Sequence, residues 1–252
     1  MVDNDGDAKT PVEFHDSWDR IAAADKEYRE FLDEIDMAVH SQWQRMIRQS
    51  PDEPDTTEVR LLTPKELVEL SGRPRVLAGQ VAENLRSALD YVVFHLSERN
   101  HKRLTRRTPA FIIADDPMSF KRDSRRSLEY LKEDEKRIIE GLQPYHGFEF
   151  LQVVREASNK SKHRGLLRLR NSVSSKVVVD STANASKYEG WWQFPQSDGV
   201  TVYVVRTHHQ VALLEKYNAM MALKQIVDGV RTVVWAFERY LYAGEFPVIK
   251  IR

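Results

Sequence analysis

The chain has 252 residues and a mass of 29.3 kDa, enough for one soluble domain with a sizeable core. Its 38 basic and 38 acidic residues cancel, so bulk charge selects neither nucleic acid nor membrane. Cysteine is absent, which excludes a disulfide framework, thiol catalysis and Cys-based zinc sites.

The neutral sum hides an uneven distribution. Residues 1–59 hold 16 acids against 6 bases, and the remainder carries the matching excess of base. The stretch 99–126 has nine Lys/Arg and three acids; 160–170 has five Lys/Arg and no acid. Such blocks suit a polyanion such as RNA, or solvated loops that pair with an acidic N-terminal helix. Met1 to Lys9 lacks the basic head and apolar run of a secretory signal, and no segment reaches the ~20 apolar residues of a membrane span. The expected location is cytoplasmic, away from membrane.

In chain order, residues 1–16 read as a disordered acidic tail and 17–252 as a single helical domain. Ser17 suits a helix cap. Trp18, Ile21, Tyr28, Phe31, Leu32, Ile35, Val39, Trp43 and Ile47 then recur at three- and four-residue steps, predicting a long amphipathic helix to about Arg48. Glu58 to Leu62 suits a short strand. Thr63-Pro64-Lys65-Glu66 starts a short helix that Gly72 and Pro74 end. Val76 to Arg99 is the second long helix. Residues 100–120 are irregular, with Pro109 and Pro117. Asp123 or Ser124 caps a helix that continues or restarts at Glu133 and ends before Pro144. Phe148 to Arg170 reads as helix. Lys176 to Val179 and Val200 to Val205 are rich in β-branched residues, and Trp191 to Phe194 suits pairing with the latter. Gln210 to Tyr242 is the third long helix, about 50 Å at 1.5 Å per residue. Val248 to Ile251 suits a last strand. The fold class is therefore mainly α: an antiparallel helical bundle with a small β-hairpin or sheet insertion near 172–206.

Familiar chemistry is missing. No phosphate loop, dinucleotide fingerprint, Gly-x-Ser-x-Gly elbow or His-Glu-x-x-His occurs. Vicinal His208 and His209 point to opposite faces of a strand, which disfavours a metal site. No metal or other cofactor is expected. Two polar constellations remain. On the second long helix, Val81, Leu85, Leu89, Val92 and Leu96 form the core stripe. Asn84, Tyr91 and His95 share one border of it; Arg86 and Asp90, four apart, share the other. Arg86 either pairs with Asp90 to order the bundle or projects into a cleft toward an anion. On the later helix, Arg155, Asn159 and His163 follow at steps of four, with Lys162 and Arg164 alongside. A histidine beside cations favours its neutral form and suits a general base; otherwise this is a solvated basic helix end.

The string Asn84-Leu85-Arg86-Ser87-Ala88-Leu89-Asp90, then Gln143-Pro144-Tyr145, then Asn159-x-x-Lys162-His163-Arg164, resembles a group of uncharacterised bacterial and phage helical proteins over about residues 76–170. In that group the place of Tyr91 is commonly His, giving an Arg-x4-His spacing similar to that of HEPN domains. That resemblance implies a helical bundle that often dimerises and cleaves RNA without metal, with His moving the ribose 2′-hydroxyl proton and Arg steadying phosphate. Here Tyr91 stands in place of the His, and a phenol is a poor base at pH 7.

The first expectation is thus a HEPN-like protein that binds or cleaves RNA. Arg86 and His163 are the candidate catalytic pair, and Asn84, Asp90, Tyr91, Asn159, Lys162 and Arg164 the candidate binding residues. His95 is a substitute base. The second is a non-catalytic interaction or dimerisation module built on the long helices. The third is a pocket for a small anionic ligand walled by Trp191, Trp192, Phe194 and Tyr203.

Overall fold

The computed structural model describes residues 14–49, 60–62, 68–70, 72–101, 109–164, 167, 169–180, 192–195, 201–214, 217–244 and 246–247. Only the backbone is described at 39, 42–49, 60–62, 68–70, 163–164, 170–180, 192–195 and 201–212. The protein is mainly helical. Its helices are α1 (His15–Gln49), α2 (Arg73–Asn100), α3 (Pro117–Ser127), α4 (Glu133–Gly141), α5 (Phe150–Arg164) and α6 (Ala219–Ala243), with a 3-10 turn at Pro144–His146. The chain divides into two compact units, residues 1–27, 79–165 and 223–252 in the first and 28–78 and 166–222 in the second.

The first unit is the helical bundle. Apolar side chains at three- and four-residue steps bury one stripe of each helix: Ile21 and Ala24 on α1, Leu85, Leu89, Val92 and Leu96 on α2, Val230, Val234 and Phe237 on α6. Polar ties fix the directions. Asp16 meets His95 at 3.1 Å, Ser17 Oγ donates to the Ala88 carbonyl at 2.9 Å, and Asn84 Nδ2 donates to Glu27 at 2.9 Å. Rising numbers on α1 meet falling numbers on α2, so the two are antiparallel. Trp18 Nε1 donates to Glu238 at 2.6 Å and Arg231 reaches Asp25 at 3.3 Å, so α1 and α6 are antiparallel as well.

Residues 14–16, expected within the acidic tail, belong to the folded chain. Phe14 is fully buried, its ring 6.1 Å from that of His95, and α1 begins at His15. Ser17 serves as an interhelical donor instead of a cap. Helix α3 begins before Asp123, because Asp116 accepts from the Met118 and Ser119 amides at 2.9 Å and Pro117 sits at the first turn. The Ser119 amide and hydroxyl hold the Asp116 carboxyl below the usual aspartate range. At α4, buried Glu135 accepts from the Lys132 amide at 2.8 Å and from Asn100 Nδ2 at 2.7 Å, which joins the helix start to the end of α2.

Phe150 is seated against Gly229 on α6. A Cβ built there would lie 2.6 Å from two atoms of the Phe150 ring. Gly229→Ala is expected to lose up to about 2 kcal/mol, because overpacking of about 1–3 kcal/mol is offset by only roughly 1 kcal/mol gained in helix propensity. Urea unfolding measures this. If Phe150→Leu in the same chain fails to recover most of the loss, the ring contact is not its cause.

The second unit carries a six-stranded antiparallel sheet. Its strands are β1 (Arg60–Leu62), β2 (Val68–Leu70), β3 (Leu169–Asp180), β4 (Trp192–Pro195), β5 (Thr201–Leu213) and β6 (Tyr217–Asn218). β3 pairs with β5 from Leu169 opposite Leu213 to Asp180 opposite Thr201, with a register shift at Ser174/Ser175. β4 and β6 pair with β5, while β1 and β2 pair with β3. Also in this unit, Tyr28 Oη donates to the Met220 carbonyl at 3.2 Å, and Arg73 bonds Glu30 at 2.6 Å.

Three expectations are corrected here. Gln210–Leu213 belong to β5, so the third long helix starts at Ala219; ladder bonds to β3 outweigh the helical spacing of the apolar residues. Val68–Leu70, expected in a helix, pair with β3, where an apolar–polar–apolar triplet suits a strand. Strands extend beyond 172–206 at both ends, and residues 60–62 and 68–70 join the same sheet. The helix start at 63–67 and the last strand at 248–251 lie outside the described residues.

Candidate functional site

The Arg86 side chain is only 19% exposed. Its Nη2 donates to the Phe111 carbonyl at 2.5 Å and lies 3.2 Å from Asp90 Oδ1; its Nε donates to Asp90 Oδ2 at 3.3 Å. Asp90 Oδ1 in turn accepts from the Phe111 amide at 2.9 Å. One helical turn of α2 thus holds both backbone groups of a single residue.

That residue belongs to segment 109–115 between α2 and α3, whose Phe111, Ile112, Ile113 and Ala114 are all buried. Gln143, fully buried before the 3-10 turn, donates to the carbonyls of Ile112 at 2.9 Å and Ile139 at 2.8 Å and accepts from the Ala114 amide at 2.8 Å. Arg155 on α5 donates to the Ile113 carbonyl at 3.1 Å and pairs with Asp115 at 2.5 Å. Buried backbone polar groups must be satisfied, and side chains from three places in the sequence satisfy these. Four polar residues form one cradle around this stretch of main chain.

The two borders expected on α2 do face different neighbours. Asn84 donates to Glu27 and accepts from Arg20 Nη1 at 3.1 Å, both on α1. The Tyr91 ring stacks with that of His95 at 6.2 Å, with the Arg20 guanidinium 6.0 Å from its centre. Arg86 and Tyr91 are five positions apart, about 140° around the helix, and do not converge. His95 is engaged with Asp16 and lies 3.7 Å from Glu98. On α5, Asn159 and Lys162 are exposed, and the Lys162 charge acts on Asp90. The His163 and Arg164 side chains lie outside the described residues, as do those of Trp191, Trp192, Phe194 and Tyr203.

Burial pushes the Asp90 carboxyl above the usual aspartate value, outweighing the lowering by Arg86, the Phe111 amide and Lys162. The folded chain therefore holds this proton more tightly than the unfolded one. The resulting stabilisation is full below the ordinary carboxylate range and is lost as pH rises through the raised value. Relative to Asp90→Asn, the wild-type chain is expected to lose unfolding free energy as pH climbs through that window. A pH-independent difference in urea melts would remove burial as the dominant influence.

Basic side chains are displayed elsewhere. On α3, Lys121, Arg122, Arg125 and Arg126 are exposed, and among the described residues only Arg122 has an ion pair, with neighbouring Asp123 at 2.8 Å. Met118 is exposed beside them. The α1 carboxylates that are described in ion pairs meet α2 or α6: Asp16 with His95, Asp25 with Arg231, Glu30 and Glu34 with Arg73. Among the described residues, no cluster of three or more His, Asp or Glu could hold a metal ion. No described helix is long and apolar enough to cross a membrane.

No family model, curated protein or solved structure matches the chain.

Sequence reasoning missed the cradle as a unit. Arg86 and Asp90 were visible as a pair, whereas Gln143 entered only through the resemblance and Arg155 only as part of a basic face. The signal for the segment is the run Phe111-Ile112-Ile113-Ala114 between Pro109 and Asp115-Asp116-Pro117, an apolar stretch of strand length bounded by breakers.

Proposed function

We propose that the chain is a helical RNA-binding protein that does not cleave its ligand, docking phosphates on the exposed face of α3. One observation carries this reading: four cations, Lys121, Arg122, Arg125 and Arg126, on an eleven-residue helix with a single acid among them. Like charges four apart, Lys121 with Arg125 and Arg122 with Arg126, repel in an isolated helix, and an external polyanion relieves that repulsion. Arg86 supports the non-cleaving side of the reading. A guanidinium that holds Asp90 and the Phe111 carbonyl has fewer donors to offer a phosphate.

Labelled single-stranded RNA, incubated without divalent metal, is expected to be bound and recovered intact. Four phosphate contacts give a slope of log affinity against log salt of about −3 for single strands. Lys121→Gln with Arg125→Gln is expected to reduce that slope by about 1.4. An unchanged slope in the double variant rules out α3 as the contact face, and cleavage that depends on His163 reinstates the nuclease reading.

A further inference from the structure

The grip on residues 109–115 is unusual in what it reads. Its hydrogen bonds go to the amides of Phe111 and Ala114 and to the carbonyls of Phe111, Ile112 and Ile113. Every partner is a side chain: Arg86 and Asp90 from α2, Gln143 after α4, Arg155 from α5. Among the described residues, no backbone–backbone hydrogen bond ties 109–115 to any strand or loop. The main chain of the segment is held by polar side chains, and its four consecutive side chains Phe111 to Ala114 are held by apolar burial.

We propose that this cradle is a peptide-binding groove, filled in cis by the chain's own segment, that accepts residues 109–115 of a second copy in trans. The occupant follows from complementarity. Each copy carries the same Phe111-Ile112-Ile113-Ala114 run, already fitted to the buried apolar sites, and the same Asp115 that pairs with Arg155. Exchange of an identical element between copies preserves every hydrogen bond made within one copy. The tethered segment competes at an effective concentration of about 1 mM, so trans occupancy grows when the cis segment is weakened.

The test uses the full chain and, as probe, a labelled capped peptide of sequence 109–115. Phe111→Ala weakens the cis segment and leaves the polar cradle in place. By fluorescence anisotropy this variant is expected to bind the peptide at least tenfold more tightly than the wild-type chain. A peptide with proline at the position of Phe111 or Ala114, lacking the amide that Asp90 or Gln143 receives, is expected to bind at least tenfold more weakly. The proposal is overturned if the helical variant binds no better than wild type, or if the proline peptides bind equally well. Should Phe111→Ala lose its helical circular dichroism, recovery of that signal on adding the peptide supports the groove, and failure to recover overturns it.

Discussion

Gln143→Ala is expected to be the most damaging single substitution in the bundle, at about 3–5 kcal/mol. The side chain is fully buried and makes three hydrogen bonds, to the Ala114 amide and the Ile112 and Ile139 carbonyls. Alanine leaves all three backbone groups without a partner, and each costs about 1–3 kcal/mol when buried. Water entering the space recovers part of the loss, which sets the upper end below the simple sum. Gln143→Glu separates the bonds. A carboxylate still accepts from Ala114 but donates to neither carbonyl, so its deficit is expected to ease as pH falls and the acid regains a donor. Urea unfolding at several pH values measures both. A loss under 1 kcal/mol for the alanine variant would mean that the 109–114 segment finds other partners when released.

Arg86→Ala is expected to lose about 2–3 kcal/mol at neutral pH. Removing one member of a buried ion pair costs about 3–5 kcal/mol, and the 19% and 35% exposure of the two side chains lowers that figure. Two separate losses contribute: the Phe111 carbonyl loses a donor, and Asp90 loses the cation that offsets its burial. They respond differently to acid. Protonating Asp90 removes the charge penalty and leaves the carbonyl unsatisfied. The deficit of Arg86→Ala is therefore expected to shrink toward acid pH without vanishing. A deficit that stays constant with pH would assign the whole effect to the carbonyl.

The sequence was most informative where packing has a period. The apolar residues of α1 and α2 recur at helical spacing, and the assignment of Asn84, Tyr91 and His95 to one border of α2 and Arg86 and Asp90 to the other agrees with their partners. Helix spacing alone places those residues. It does not say what lies opposite: besides Asp90, Arg86 holds a carbonyl twenty-five positions along the chain. Side-chain bonds to backbone leave no periodic trace, so the cradle was not visible as a unit. The start of α6 was misplaced for a related reason. Val211 and Leu214 fit a helix stripe, Val211 and Leu213 the alternation of a strand, and only pairing with β3 decides between them. The basic stretch 99–126 was legible as charge, while the buried course of Phe111 to Ala114 ahead of α3 was not.

The cradle also sets which changes the segment tolerates over evolutionary time. Since Asp90 and Gln143 hold the nitrogens of Phe111 and Ala114, an imino acid is barred at those two positions whatever its size. Carbonyl oxygens, by contrast, are common to all residue types, so the grip at Ile112 and Ile113 passes over identity and leaves only volume and apolarity under constraint. Drift among aliphatic residues is admissible there, provided the neighbouring rings and methyls still fill the same space.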